Sequence, residues 1–165
     1  MESTQYCFVT WVTRNSRVSE RMVEFNPSEF IEGLEPIVFG YQSQLIVAEL
    51  IVDAAKRYEL DVQTFNVLPD HIHMLVRVAT EEELSQKIGN IKGYVAHQVR
   101  LQSKMETKIW AQKFNRQWIQ DEKHLANVIR YIDKNHLKHV KSWGREFLCG
   151  YGTELRGIVG LLKGK

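Results

Sequence analysis

PDHIHMLV, residues 69–76, is the stretch that decides how this 165-residue chain folds. Side chains of a β-strand alternate between its faces, so His71 and His73 share one face while apolar residues, continuing to Val78, share the other. This pattern predicts a strand over 71–78 that holds two imidazoles side by side, opposite a core. Neutral imidazole binds divalent metals. For an isolated His-x-His, two strand histidines without a ligand are the commoner outcome, so the pair alone leaves both interpretations open.

Hydrophobic periodicity predicts the elements around this strand. We expect strands over 5–13 and 60–68, one or two short strands within 107–119, and helices over 42–58, 81–102 and 122–137. Thr80 and Asp121 are the predicted N-caps of the last two helices. The order β-α-β-β-α-β followed by a helix is the split βαβ arrangement. We therefore predict an α+β fold: a ferredoxin-like antiparallel sheet with two helices on one face and the C-terminal helix on the other.

Composition predicts a single domain over 1–165, with an irregular insertion at 14–40 and a tail at 141–165. Hydrophobic residues make up 44% of the chain and charged residues 25%, which are ordinary globular values. No apolar run approaches the roughly 20 residues that span a bilayer, and no secretory signal pattern opens the chain. We therefore predict a cytoplasmic protein without a membrane partner. Cys7 and Cys149 match no metal-site spacing and are predicted to be structural thiols.

Charge is distributed unevenly along the chain. The formal balance is −8 over residues 1–86 and +10 over residues 87–165. In the basic half, aromatic residues alternate with lysines and arginines, a combination that suits single-stranded nucleic acid because phosphates need charge and unstacked bases need flat platforms. Aromatic core residues beside a solvated basic face explain the same composition equally well.

The last predicted helix carries a polar stripe beside its apolar one. Tyr131 and Asn135 lie one turn apart on that stripe. An isolated helix tyrosine is most often a packing residue, and an asparagine near a helix end is most often solvated. Beside a two-histidine metal site, however, a phenolate is a nucleophile for phosphorus and an amide oxygen is a hard metal ligand.

These motifs together resemble the HUH (His, hydrophobe, His) single-tyrosine transposases of small insertion sequences. PDHIHMLV at 69–76 is similar to the HUH motif, and VIRYIDKN at 128–135 is similar to the helix that carries the nucleophile. FVTW at 8–11 and FNRQW at 114–118 lie where the family has comparable segments. The resemblance spans roughly residues 5–140. Among the branches of the family, the chain is most similar to REP-associated tyrosine transposases.

The resemblance implies cleavage and rejoining of single-stranded DNA that carries hairpins. Tyr131 is then the nucleophile that forms a 5′-phosphotyrosine link, and His71, His73 and Asn135 are the expected ligands of Mg²⁺ or Mn²⁺. The amide position is often Gln in relatives, and Asn is one methylene shorter. Asp70 is a candidate for orienting His71, or an ordinary turn residue.

Cations that contact DNA are also expected, and we predict Arg14, Lys92, Lys113 and Arg116. Family members act as homodimers or as monomers, and the sequence leaves both states open. A catalytically inactive or domesticated hairpin-binding protein is the alternative from another functional class. An HUH nuclease of replication or conjugation is disfavoured by the small size of the chain. A histidine-triad hydrolase is excluded because the third alternating position is Leu75.

Overall fold

The computed structural model describes residues 3–16, 34–105 and 107–138, with side chains described as far as Asn135 in the last helix. The predicted insertion at 14–40 is therefore described only at its two ends. The predicted tail at 141–165, which contains Cys149, lies outside the described residues.

Four strands and three helices form the described part of the chain. They are β1 (Gln5–Val12), α1 (Tyr41–Arg57), β2 (Asp61–Val67), β3 (His71–Val78), α2 (Glu81–Ser103), β4 (Asn115–Trp118) and α3 (Glu122–Lys138). Each lies within a residue or two of its predicted range, apart from the region 107–119. There, β4 is preceded by a single antiparallel bridge between Thr13 and Trp110.

The sheet has the strand order β2-β3-β1-β4, and every neighbouring pair is antiparallel. β1 and β3 lie in the middle although α1 and β2 separate them in sequence. This is the ferredoxin-like arrangement, so the predicted α+β fold class is confirmed. Because β3 is central, its two histidines lie inside the sheet and not at an edge.

Side-chain caps fix where the last two helices begin. The Thr80 hydroxyl accepts a hydrogen bond from the Glu83 amide, and the Glu83 carboxylate accepts one from the amide of Ala79. This pattern is similar to a capping box, with the carboxylate of Glu83 reaching the amide of the residue before the N-cap. At the start of α3, the Asp121 carboxylate accepts from the His124 amide at 2.7 Å. Both predicted N-caps are confirmed.

Each face of the sheet has its own apolar core. The larger core lies between the sheet and the helices α1 and α2, and includes Ile72, Met74 and Val76 from β3. On the opposite face, Leu75 packs against Val128 and Ile132 of α3. Full burial of each such side chain stabilises the fold by about 1.5–3 kcal/mol. This second core holds α3 on the face that carries the histidines, as predicted. Among the described residues, no helix combines the length and apolarity that crossing a bilayer requires.

Candidate active site

His71 and His73 stand side by side on the α3 face of the sheet. Both are buried, with exposed fractions of 1% and 6%. Their ring centres are 4.8 Å apart and their planes cross at 81°. The alternation of β3 therefore produces the paired imidazoles that the sequence predicts.

An oxygen atom engages the Nδ1 atom of each imidazole. His71 Nδ1 lies 2.8 Å from the carboxylate of Asp70, whose other oxygen accepts a hydrogen bond from the Ser16 hydroxyl. His73 Nδ1 lies 2.8 Å from the hydroxyl of Thr10, its cross-strand partner on β1. Bonds of this kind fix the tautomer and orientation of a metal-binding histidine. In the tautomer whose Nδ1 donates to this oxygen, Nε2 is the ring nitrogen that has a lone pair for a metal.

Tyr131 of α3 lies against the ring of His73. Its ring centre is 5.3 Å from that of His73 and 5.9 Å from that of Phe8, with an edge-to-face geometry in both cases. The side chain remains 37% exposed, so one side of the phenol is accessible from solvent. The tyrosine and the histidines belong to the same chain.

Polar as well as apolar contacts hold α3 in this place. Asn66 on β2 is the cross-strand partner of His73, and its Nδ2 donates a hydrogen bond of 2.6 Å to the carbonyl of Ile132. Ile132 is also a member of the apolar core on this face, and it directly follows Tyr131. One turn of α3 thus contains the Ile132 side chain, which packs in the core, the Ile132 carbonyl, which accepts the hydrogen bond, and the phenol of Tyr131.

Asn135 provides the test of whether the site suits a metal. It follows Tyr131 by one turn, is 1% exposed, and has no hydrogen-bond partner at either amide atom among the residues that the structure describes. An unsatisfied buried polar group costs about 1–3 kcal/mol, so a ligand for it is expected. The described residues contain no group of three or more His, Cys, Asp or Glu that could hold an ion. Two imidazoles and an amide oxygen form a donor set suited to Mn²⁺ or Mg²⁺, completed by oxygens from substrate or water.

Lys92 does not have the position expected of a DNA contact. The side chain is only 7% exposed, and its ammonium donates to the carbonyls of Ala111, Gln112 and Lys113. Its own carbonyl accepts from the indole of Trp110. The prediction that Lys92 contacts phosphates is corrected accordingly, because the charge is used inside the protein to hold the segment before β4.

Arg116 lies on the wrong face of the sheet for the site. It pairs with Val9, whose side chain belongs to the core under α1 and α2. Its guanidinium bonds to the carboxylate of Glu81 at 2.8 Å and lies over the ring of Phe114. The structure therefore argues against a contact between Arg116 and DNA at the histidine pair.

The other two predicted cations stay candidates. Lys113 is exposed and lies two residues before the start of β4. Arg14 lies in the turn after β1, beside Thr13, whose amide donates to the carbonyl of Asp70. This places the Arg14 backbone near the end of β3 where His71 begins.

Three contributors to the site escaped the sequence reasoning: Thr10, Ser16 and Asn66. Each acts across strands or loops far apart in sequence, so only the strand register reveals it. One weak signal in the sequence pointed to Thr10. It lies two residues after Phe8 on β1, so the two side chains lie on the same face of the strand.

This fold and this histidine–tyrosine arrangement are those expected of an HUH single-tyrosine protein. Comparison with known proteins agrees: the profile of the family described as "Transposase IS200 like" matches residues 36–135, which include His71, His73, Tyr131 and Asn135. The match extends over more than half of the chain. The chain therefore belongs to the IS200-like transposase family.

The chain is also similar to individual known proteins. A curated Haemophilus influenzae protein, assigned to the REP-associated tyrosine transposases, is 29% identical over 103 residues, which cover 53% of this chain. That match spans 58% of the length of the relative. A solved REP-associated tyrosine transposase bound to a REP hairpin has a TM-score of 0.54 and 18% identity, covering 82% of this chain and 68% of that one. A crystal structure of a Deinococcus radiodurans protein assigned as a transposase matches with a TM-score of 0.46 and 14% identity, over 80% of this chain and 91% of that one.

Proposed function

We propose that this chain cleaves and rejoins single-stranded DNA next to a hairpin, with Tyr131 as the nucleophile. The observation that carries the proposal is the position of the Tyr131 ring, 5.3 Å from that of His73, which in turn is 4.8 Å from His71. A phenol beside two oriented imidazoles combines a nucleophile for phosphorus with a site for a divalent cation.

The proposed cleavage step is a transesterification. The phenolic oxygen of Tyr131 attacks phosphorus and loses its proton, a new bond forms between that oxygen and the phosphorus, which stays on the 5′ oxygen of the strand on the 3′ side of the break, and the bond from phosphorus to the 3′ oxygen of the other strand breaks. The leaving 3′ oxygen takes up a proton. A 3′-hydroxyl of the same or another strand reverses the step. Since one phosphodiester is exchanged for another ester of similar energy, rejoining needs no nucleotide cofactor.

His71, His73 and the amide oxygen of Asn135 are the groups that we propose bind the cation, Mg²⁺ or Mn²⁺. When bound, the ion supplies Lewis-acid polarisation of the phosphate and stabilises the charge that develops there. Asp70 and Thr10 hold the imidazoles through Nδ1, so the ligand nitrogens are oriented before the metal arrives.

Several features of the chain suit a DNA substrate. Tyr131 is partly exposed, which gives a phosphate access to the phenol, while contact with Phe8 restrains the ring. Lys113 and Arg14 are the cations that we propose bind the DNA backbone. The solved relative that carries a REP hairpin supports hairpin DNA as the partner. Whether the chain acts as a monomer or a homodimer stays a prediction.

The decisive experiment is a search for the covalent intermediate. The chain is incubated with Mn²⁺ and a 5′-labelled or 3′-labelled oligonucleotide that contains a hairpin and a single-stranded flank. We expect the label on the 3′ side of the break to become attached to protein, and Tyr131→Phe to abolish the adduct. Hairpin binding without an adduct in the native chain, across candidate flanks and with either metal, contradicts the proposal and favours the inactive hairpin-binding alternative.

A further inference from the structure

We propose that Asn66 is the positioning residue that holds the nucleophile helix over the histidine pair. This inference rests on the proposed function and assigns a role to a residue outside the sequence motifs. The observation behind it is the buried hydrogen bond from Asn66 Nδ2 to the carbonyl of Ile132, 2.6 Å long and joining residues 66 positions apart.

The bond connects the two halves of the site directly. Asn66 lies opposite His73 in the register of β2 and β3, so its backbone is fixed by the same ladder that fixes the imidazole. Its donor reaches the residue that follows Tyr131. A displacement of α3 along or around its axis must therefore stretch this bond before the phenol leaves His73.

Apolar packing alone does not set the helix position as closely. The core on this face consists of Leu75, Val128 and Ile132, with partly buried neighbours around them. Apolar contacts are non-directional and tolerate small slides of one surface over another. A hydrogen bond has a preferred distance and angle, and thus selects one helix position from those that packing allows.

The buried amide oxygen of Asn66 argues against a role of this residue in stability alone. Asn66 is 5% exposed, and its Oδ1 is buried without a hydrogen-bond partner in the described part of the chain. The Ile132 carbonyl lies inside α3, where the helical bonding pattern satisfies it without Asn66. Replacing Asn66 by an apolar residue of the same shape would remove this oxygen and would leave no other polar group without a hydrogen bond. The residue therefore serves placement of the helix at the expense of stability.

The test replaces Asn66 by leucine, which has a similar shape and no polar atoms. For Asn66→Leu we expect the rate of adduct formation at saturating hairpin DNA and Mn²⁺ to fall by about 10- to 100-fold, because misplacing a reacting group by about 1 Å costs that much. The Kd for the DNA should stay within about twofold, and the melting temperature should not fall. Thr64→Val, on the same strand and face but opposite Leu75, is the matched control and should match the native chain.

Hydrogen exchange provides a readout that is independent of activity. In Asn66→Leu, amides of residues 128–135 should exchange faster than in the native chain, while those of α2 should not change. Asn66→Ser, whose hydroxyl is too short to reach the carbonyl, should give the same two effects and replaces the leucine variant if that variant does not fold.

Three outcomes overturn the inference: an unchanged adduct rate, a rate loss matched by weaker DNA binding, or unchanged exchange in α3. If the native chain forms no adduct, the proposed function fails, and the exchange experiment still decides whether Asn66 positions the helix.

Discussion

The Tyr131 ring and the His73 ring lie 5.3 Å apart, centre to centre, within a single chain. The phenol and the paired imidazoles therefore need no second subunit to meet. We therefore expect one chain to provide the whole of the proposed site.

Mixing two inactive variants should not restore activity. Tyr131→Phe keeps both histidines and His73→Ala keeps the nucleophile, so an active site shared between subunits would regain function in the mixture. We expect no adduct on either chain, because each site lacks one of its own groups. The two variants are made with different masses and analysed by gel after incubation with labelled DNA. An adduct on the His73→Ala chain in the mixture, but not in that chain alone, contradicts the single-chain site.

Removing the Thr10 hydroxyl should weaken metal binding more than it weakens the fold. Thr10→Val leaves His73 Nδ1 without its oxygen partner at 2.8 Å. Loss of such a supporting bond typically lowers metal affinity about 10- to 100-fold, while a buried hydrogen bond contributes about 1 kcal/mol to stability. Mn²⁺ affinity measured by calorimetry or electron paramagnetic resonance checks the first effect, with Thr64→Val as control. Equal affinities for Thr10→Val and the native chain rule out this role.

The fold was largely predictable because its signals are local. Alternation in β3, helical periodicity in α1 to α3 and the caps at Thr80 and Asp121 each lie within a few residues of sequence. The strand order follows from the sequence of elements, since β-α-β-β-α-β has one common way to pack. The segment 107–119 was harder to predict because the backbone carbonyls at its centre are satisfied by Lys92, 19 to 21 residues away, and not by a strand.

Only those site residues that belong to a short sequence motif were predictable. His71, His73 and Tyr131 lie in two short motifs, and the structure brings them together. Thr10 and Asn66 flank His73 only because β1 and β2 pair with β3 in one particular register. A change of register by one residue would place either side chain on the other face of the sheet. Cations that contact DNA are harder still to predict. Lys92 and Lys113 differ in burial, and composition does not reveal burial.

Lys92 should matter for stability and not for the salt dependence of DNA binding. Lys92→Met keeps the length of the side chain and removes the ammonium that three carbonyls share. Because hydrogen bonds to a charged group contribute about 1.5–3 kcal/mol, we expect a loss of about 2–3 kcal/mol in the free energy of unfolding. Chemical denaturation checks this value. A variant that is as stable as the native chain, but whose log affinity for DNA falls less steeply with log salt concentration, would reinstate Lys92 as a phosphate contact.

Glu83 should contribute stability that disappears in acid. The Lys87 ammonium, 2.8 Å away, and the amide of Ala79 stabilise the carboxylate and lower the pKa of Glu83. A carboxyl with a lowered folded pKa adds stability above its unfolded pKa, about 4.3, and loses it as the pH falls through the folded value. Glu83→Gln should therefore be less stable at pH 7, by about 0.5–1 kcal/mol, with the difference shrinking below about pH 4. Urea denaturation from pH 3 to 7 measures it, and a constant difference contradicts the assignment.

Lys113 should bind the DNA backbone through charge alone. It is exposed and lies next to the edge strand β4, whose Asn115 pairs with Thr10 on the histidine face. A lysine that neutralises one phosphate displaces about one counterion, so Lys113→Ala should reduce the slope of log affinity against log salt by about 1 and weaken binding most at low salt. Fluorescence anisotropy with a labelled hairpin at several salt concentrations measures this slope. Lys56→Ala, on α1 over the opposite sheet face, is the matched control. A loss of affinity that is independent of salt, or no loss, removes Lys113 from the DNA surface.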